Sequence, residues 1–279
     1  MLFADDLKLY KNISSHEDRL LLQDDLNNVY NWSLLNGLPL NIGKCNSISF
    51  GRENLKSDFY VIGDNLLKNV NQIKDLGVII DDKLSFSPHL YHVQTSAMRS
   101  VNFIIRFARN FKDKDTFRSL YFSFVYPRLT YCVVVWRPYV AGQVKMQRHV
   151  LHEFVRYASY KVGRPMSATC HNYGEILTFL NIPDVESSMI GVDYVFLHKL
   201  HSGVIDCPAL LDKFNFRRVE RDLRFIELFE VPKLTSKLFM HSTPIRLSIL
   251  GNKYHSEFDL LNSSLYELRR FVKSKYLYY

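Results

Sequence analysis

The sequence predicts an α+β fold, with short strands and one helix in the first 85 residues and mostly helices after them. Before residue 85, short apolar runs alternate with turn residues such as Asn36-Gly37 and Asp81-Asp82, which is typical of strands and hairpins. From about residue 88 the apolar spacing is helical, and Pro127 and Pro138 mark breaks between helices. With 279 residues, 47% of them hydrophobic, the chain can bury at least one sizeable core.

In the first region, a helix is predicted over residues 16–35. Ser15 and Asp18 form a capping-box pattern, a hydroxyl followed three residues later by a carboxylate, and Asn36-Gly37 marks the end of the helix. One face of this helix carries apolar or small side chains at helical spacing, at Leu22, Leu26, Val29 and Ser33. Strands are predicted at residues 7–10, 38–42, 47–50, 59–62 and 75–80.

The rest of the chain is predicted to be mainly helical. The predicted helices cover residues 88–110, 114–126, 141–161, 184–202 and 256–275. Composition and pattern together predict three regions, at residues 1–85, 86–164 and 165–279. No particular oligomeric state is indicated.

Composition also indicates the cellular compartment in which the protein is expected. No run of about 18 apolar residues occurs, so no membrane span is predicted. The first six residues carry two aspartates where a signal peptide has basic and apolar residues. The four cysteines are widely scattered without a CxxC pair, which favours a reducing compartment. We therefore expect an intracellular protein of the nucleus or cytoplasm.

The positive charge is concentrated in one segment. Residues 99–164 hold 13 basic and 3 acidic side chains, a net charge of +10, whereas the whole chain has a net charge of +8. Such an excess points to a polyanionic partner, and a nucleic-acid groove is a better interpretation than a solvated face. The candidate phosphate-binding residues are Arg99, Arg106, Arg109, Lys112, Lys114, Arg118, Arg148, Arg156, Lys161 and Arg164.

Phenylalanines are interleaved with these cations, at Phe103, Phe107, Phe111 and Phe117. Two interpretations are open. The rings can stack on bases, or they can pack into a helical core. Their spacing of about one helical turn favours the core.

A pair of carboxylates opens the chain in Phe3-Ala4-Asp5-Asp6. Adjacent aspartates at the tip of a hairpin can hold Mg²⁺, which prefers hard oxygen ligands, and polymerases use two such ions for phosphoryl transfer. Alone, however, two aspartates are also ordinary turn residues.

Five further sequence motifs, called the ordered motifs below, follow this tetrapeptide along the chain. They are Trp32-Ser33-Leu34-Leu35-Asn36-Gly37, Leu40-Asn41-Ile42-Gly43-Lys44-Cys45, Lys74-Asp75-Leu76-Gly77-Val78, Val135-Trp136-Arg137-Pro138-Tyr139 and Asp206-Cys207-Pro208-Ala209-Leu210-Leu211. Taken together, and at this spacing, they resemble the reverse transcriptases of non-LTR (LINE) retrotransposons, particularly jockey-like elements. The resemblance covers nearly the whole chain and begins at the catalytic [FY]ADD box of that family.

This resemblance implies specific roles. Asp5 would be a metal-ligating carboxylate and Asp6 a supporting ligand, both for Mg²⁺. Lys44 matches a lysine that donates a proton to the leaving pyrophosphate, although a solvated turn lysine is an equally good interpretation. The partners would be an RNA template and a DNA primer, or another nucleic acid. The three regions would be a partial polymerase palm with a primer-grip-like hairpin, a basic thumb-like region and a helical C-terminal region.

The family's active site also needs an earlier palm aspartate and fingers, and this sequence begins two residues before the [FY]ADD box. We therefore expect no polymerase activity from the polypeptide alone. Two functions are open: a truncated RNA-directed DNA polymerase, or a non-catalytic nucleic-acid-binding protein derived from a retroelement. A decayed reading frame is a third interpretation.

Overall fold

A computed structural model describes residues 2–51, 59–167, 169–217, 227–233 and 237–276. The chain divides into two compact units, unit 1 at residues 1–88 and unit 2 at residues 89–279. The secondary structure is α+β, as predicted, with the strands in unit 1. The assignment of three functional regions stays a prediction.

The strands of unit 1 are short and form two-stranded pairs. The antiparallel pairs are β1 (Leu2–Phe3) with β2 (Asp6–Leu7), β4 (Val61–Ile62) with β5 (Asn65–Leu66), and β7 (Gln72–Asp75) with β8 (Val78–Asp81). The parallel pair is β3 (Asn46–Ser47) with β6 (Lys68–Asn69).

Two predicted strands are wrong, and those predicted at 7–10 and 47–50 are confirmed only at Leu7 and Ser47. The strand predicted at 75–80 is interrupted by a two-residue turn, in which Leu76 has φ 44° and Gly77 has φ 89°, so β7 and β8 form a hairpin. Residues 38–41 form no strand, and a single 3₁₀ turn follows at Ile42–Lys44.

The predicted first helix is confirmed as α1 (His16–Leu35). The Ser15 hydroxyl accepts a hydrogen bond from the Asp18 amide at 3.2 Å, and the Asp18 carboxylate accepts one from the Ser15 amide at 2.9 Å. This capping box satisfies backbone donors that a helix start leaves unpaired. At the other end Gly37 has φ 66°, the left-handed conformation that glycine adopts without strain.

Gln23 connects α1 to the strand β4. Its side-chain amide donates to the Val61 carbonyl at 2.8 Å and accepts from the Val61 amide at 3.0 Å. The side chain thus pairs with a strand backbone as a neighbouring strand would. On the same helix Ser33 is almost fully buried and donates to the Tyr30 carbonyl.

Helices form the second unit, with α2 beginning at the boundary between the units. They are α2 (Ser87–Phe107), α3 (Lys114–Leu120), α4 (Tyr126–Thr130), α5 (Val133–Trp136), α6 (Ala141–Lys161), α7 (Tyr173–Leu180), α8 (Val185–His201), α9 (Pro208–Leu211), α10 (Lys237–Met240), α11 (Thr243–Tyr254) and α12 (Leu265–Tyr276). The helices predicted at 88–110, 141–161 and 184–202 are confirmed. The helix predicted at 256–275 begins only at Leu265, and α7, α9, α10 and α11 were not predicted.

A π-helical segment interrupts the helix predicted at 114–126. It covers Tyr121–Val125, between α3 and α4, and the Tyr126 amide bonds to the Tyr121 carbonyl. Pro127 follows directly and has no amide hydrogen. A proline also crowds the carbonyl four residues before it, and widening the helix by one residue relieves that crowding.

The core of unit 2 surrounds α8, which packs against α4, α5, α6, α11 and α12. Its cluster of buried residues includes Tyr194, Leu197, Phe229 and Leu268. Further buried rings lie at Phe117, Tyr121, Trp136 and Phe154. Burying large aromatic side chains is the main source of stability in such a core.

A buried charge cluster lies at the junction of α5, α8 and α11. The fully buried Asp193 carboxylate accepts from Arg137 Nη1 at 2.5 Å and from Arg246 Nε at 3.0 Å. Arg246 also donates to the Val134 carbonyl at 2.6 Å, and Thr243 donates to the same oxygen at 2.8 Å. Because each buried charge has opposite charges or backbone partners, removal of one member would leave the others uncompensated.

Candidate nucleic-acid interface

The predicted cations of segment 99–164 lie at the surface of unit 2, and all ten are exposed or partly exposed. In the described part of the chain, two of them form ion pairs. Arg148 pairs with Glu186 at 2.9 Å and Arg156 pairs with Glu153 at 2.5 Å. Burial raises the pKa of Glu153, but the hydrogen bond and charge of Arg156, together with His149 and His152, outweigh it and lower that pKa. The other eight cations form no ion pair with a carboxylate among the described residues, so this surface keeps most of its positive charge.

Three of these eight cations gather around the end of α7. Lys114 Nζ lies 5.2 Å from the centre of the Phe179 ring, and Arg164 Cζ lies 4.2 Å from the same centre. Arg118 Nε donates to the Asn181 carbonyl at 3.2 Å. Cation–π contact holds the two charges on one ring, although they repel each other. We call Lys114, Arg118 and Arg164 the Phe179 cluster.

Two further cations meet where α2 and α6 end. The Lys161 ammonium donates to the backbone carbonyl of Arg109, and the Tyr157 hydroxyl donates to the Ile105 carbonyl at 3.1 Å. The structure therefore brings Arg109 and Lys161 together although they are far apart in sequence. Arg99, Arg106 and Lys112 are exposed on α2 or directly after it.

The prediction that the phenylalanines form core is confirmed for Phe117, which has 0% exposure, and is wrong for Phe103, Phe107 and Phe111. Phe103 is 41% exposed and Phe107 is 71% exposed. Small and branched residues of α2 fill the core instead, at Ala97, Val101 and Ile104. These positions share a side of the helix that differs from the side of Phe103 and Phe107 by roughly a quarter turn.

The exposed rings form a continuous row. The centres of Phe103 and Phe107 are 4.5 Å apart, and those of Phe103 and Phe124 are 5.8 Å apart. Phe124 belongs to the π-helical segment and is 41% exposed. We call Phe103, Phe107 and Phe124 the aromatic face.

Arg128 lies beside this row and was not among the predicted cations. It is exposed, and its Nη1 donates to Ser96 Oγ on α2 at 2.6 Å. Ser96, Arg99 and Phe103 follow one another at helical spacing and share one side of α2. The signal that could have identified Arg128 is its position one turn after Phe124, within the segment of highest charge.

The acidic pair lies in the β1–β2 hairpin. Phe3 is paired with Asp6, so Ala4 and Asp5 form the two-residue loop, with Ala4 at φ 50°. Both aspartates are exposed. Two adjacent carboxylates supply the hard oxygens that Mg²⁺ prefers. Among the described residues, however, no group of three or more side chains is placed to hold a metal ion.

Lys44, the predicted proton donor, is exposed in the 3₁₀ turn of unit 1. In the ranges that the structure describes, it forms no ion pair with Asp5 or Asp6. Lys8, just after the hairpin, instead forms an ion pair with Asp75 at the end of β7. The catalytic and metal-binding roles of Asp5, Asp6 and Lys44 stay predictions.

None of the helices in the described part of unit 1 or unit 2 combines the length and the apolar character of a membrane crossing. In the charge cluster, Asp193 is fully buried and Arg137 and Arg246 are largely buried, so the cluster is not part of the exposed basic surface. Of these three residues, only Arg137 lies in one of the ordered motifs, Val135-Trp136-Arg137-Pro138-Tyr139. Its sequence position gives no sign of its partner Asp193, which lies 56 residues away.

Comparison with known proteins supports a relation to mobile elements. The chain is similar to an RNA-directed DNA polymerase from mobile element jockey of Drosophila funebris, with 29% identity over 138 residues. That match covers 48% of this chain and 15% of the jockey polymerase. The chain is also similar to an uncharacterised protein of Caenorhabditis elegans, with 24% identity over 191 residues, covering 68% of this chain and 93% of the nematode protein.

No family model and no solved structure matches the chain. The chain spans about one seventh of the jockey polymerase that it matches, so what that whole protein does is not transferred to it directly. The comparison agrees with the relation that the ordered motifs predicted: this chain is a distant, partial relative of a retrotransposon reverse transcriptase.

Proposed function

We propose that this retroelement-derived, reverse-transcriptase-like chain binds nucleic acid through the basic surface of unit 2. The observation that carries the proposal is that eight of the ten cations predicted for segment 99–164 have no carboxylate partner among the described residues. The Phe179 cluster even places two cations on one ring. A phosphate backbone supplies the missing negative charge.

Polymerase chemistry is a second candidate, favoured by the β1–β2 hairpin that exposes Asp5 and Asp6 side by side. Mg²⁺ bound there would neutralise charge during phosphoryl transfer. Two-metal transfer needs more ligands than this pair. We therefore propose that the isolated chain binds template and primer without extending the primer.

The binding proposal is tested by measuring the affinity of the full chain for a primer–template duplex across KCl concentrations of about 50 to 300 mM. Fluorescence anisotropy of a labelled duplex gives Kd at each salt concentration. Log Kd should rise linearly with log salt concentration, because each phosphate contact releases condensed counterions. In the double variant Lys114→Gln/Arg164→Gln, the slope should fall by about 2.

The matched control is Arg148→Gln/Arg156→Gln, which removes the same charge from the same unit. Its arginines already pair with Glu186 and Glu153, so the slope should change by less than in the first variant. Salt-insensitive binding by the wild-type chain, or equal effects of the two double variants, would contradict the proposal.

The catalytic alternative is tested by primer extension with Mg²⁺ on a homopolymer template. We expect no extension by the isolated chain. Extension that disappears in Asp5→Asn while duplex binding persists would instead show that the chain is a polymerase.

A further inference from the structure

The exposed aromatic face of unit 2 is the strongest feature that the basic surface alone does not explain. Three phenylalanine rings stand in a row on the surface, and the most exposed of them, Phe107, is 71% exposed. A cluster of large apolar side chains on a soluble surface usually marks a binding site. Phosphate contacts alone need no such rings.

The charges around this face indicate its occupant. Arg99 lies one turn before Phe103 on α2, and Arg106 lies on the adjoining turn, where its Nε donates to the Asn102 carbonyl at 3.3 Å. Arg128 is held at Ser96, on the same side of α2. Within the residues that the structure describes, none of the three arginines pairs with a carboxylate. The occupant therefore combines negative charge with flat apolar surfaces.

We infer that the aromatic face stacks on unpaired bases of a single-stranded nucleic acid whose phosphates lie against Arg99, Arg106 and Arg128. A duplex does not fit this description, because its base faces are stacked on one another, whereas a single strand presents bases and phosphates together. The inference rests on the proposed function and deepens it, since it names unpaired strands as the ligand of this part of the surface.

The test compares a labelled oligo(dT) of about 20 nucleotides with a hairpin duplex of matched length, both bound to the full chain. Phe107→Ala should weaken binding of the single strand by roughly 5- to 150-fold, the range for loss of one stacked base, and should change duplex binding by less than about 2-fold. Phe59→Ala, which removes an exposed phenylalanine of unit 1, is the matched control and should change neither affinity.

Phe107→Trp provides a second measurement. It retains a stacking ring, so single-strand affinity should be kept. The new tryptophan fluorescence, after subtraction of the wild-type signal, should be quenched as oligo(dT) is added. Unquenched fluorescence at saturation would overturn the inference even if the alanine variant were destabilised.

The remaining outcomes separate this inference from the proposed function. Equal losses on both ligands in Phe107→Ala, or no loss, overturn base stacking, while salt-dependent duplex binding still supports the proposed function. Absence of binding to either ligand by the wild-type chain overturns both. Sedimentation that shows a wild-type dimer converted to a monomer by Phe107→Ala would make the face an interface between copies of this chain.

Discussion

In unit 1, large apolar side chains such as Phe3 and Leu35 lie on the surface, whereas unit 2 buries many large side chains, including a cluster around α8. The buried apolar residues of the described part of unit 1 are Ile62, Leu67 and Val78. Since apolar burial contributes about 25 cal/mol per Å², the core supplies stability mainly to unit 2. Unit 1 relies more on local devices such as the capping box of α1 and the β7–β8 hairpin.

The two tryptophans of the sequence report on the two units separately. Trp32 lies in α1 of unit 1, and Trp136 lies in α5 of unit 2. In a Trp32→Phe background, tryptophan fluorescence follows the unfolding of unit 2 alone. In a Trp136→Phe background it follows unit 1. Urea unfolding measured in these backgrounds can therefore test whether the two units differ in stability.

The largest effect is expected from Asp193→Asn. The change leaves Arg137 and Arg246 without their shared carboxylate in a buried site, and breaking such a cluster costs about 3–5 kcal/mol. Urea unfolding followed by Trp136 should shift to lower concentration by the corresponding amount, with the signal of Trp32 less affected. Asp206→Asn, at an exposed position, is the control. Equal midpoints for the two variants would contradict a stabilising role of the cluster.

A matched pair of leucine substitutions tests the contrast directly. Leu197 of unit 2 has 0% exposure and Leu35 of unit 1 has 86%. Leu197→Ala should lower the free energy of unfolding of unit 2 by about 2–5 kcal/mol, because it removes buried methyl groups and leaves a cavity. Leu35→Ala should change unit 1 by less than about 0.5 kcal/mol. If Leu35→Ala is as destabilising as Leu197→Ala, Leu35 is covered in solution and the contrast fails.

Features that depend on neighbouring residues could be predicted from the sequence, whereas features that depend on the rest of the fold could not. The bounds of α1 were predictable because Ser15, Asp18 and Gly37 act through neighbouring backbone. The β7–β8 hairpin was missed because its turn places Leu76 at positive φ, which a side chain with a Cβ disfavours. Local rules therefore identified the helix of unit 1 and failed where the fold imposes an unfavourable local conformation.

For the candidate interface, periodicity showed which residues share a side of α2 but not which side is covered. Phe103 and Phe107 are larger than Ala97 and Val101, yet the smaller pair is buried. Which side of α2 is covered depends on contacts distant in sequence, such as the hydrogen bond from the Tyr157 hydroxyl to the Ile105 carbonyl. The contact between Arg128 and Ser96, 32 residues apart, is likewise tertiary.

Acid should destabilise unit 2 through His89. Burial, with a smaller effect from the charge of His92, lowers the pKa of His89 to about 4, and its ring packs edge-on against Trp136. The unfolded chain binds this proton near pH 6.5, whereas the folded chain binds it only near pH 4. The stabilisation of unit 2 by neutral His89 is therefore complete above about pH 6.5. It is lost as the pH falls to about 4, which lowers the free energy of unfolding by about 2–3 kcal/mol.

Urea unfolding followed by Trp136 at several pH values between about 7.5 and 4.5 measures this loss. His89→Gln should flatten the pH dependence, while His171→Gln, at an exposed position, should leave it unchanged. Part of the slope should remain in His89→Gln, because burial also lowers the pKa of His201. An unchanged slope in His89→Gln would rule out His89 as the source.

The smallest effect is expected in unit 1, from Ser15→Ala. The change removes the hydroxyl that accepts from the Asp18 amide, and losing such a cap costs about 1 kcal/mol. Ser14→Ala is the matched control, because Ser14 contacts Asp18 through its backbone amide, which the substitution keeps. Hydrogen exchange at the start of α1 should speed up in Ser15→Ala only. Because little core is buried around α1, this local loss should also lower the urea midpoint of unit 1 followed by Trp32. A midpoint that is unchanged despite faster exchange would mean that the stability of unit 1 does not depend on its local interactions.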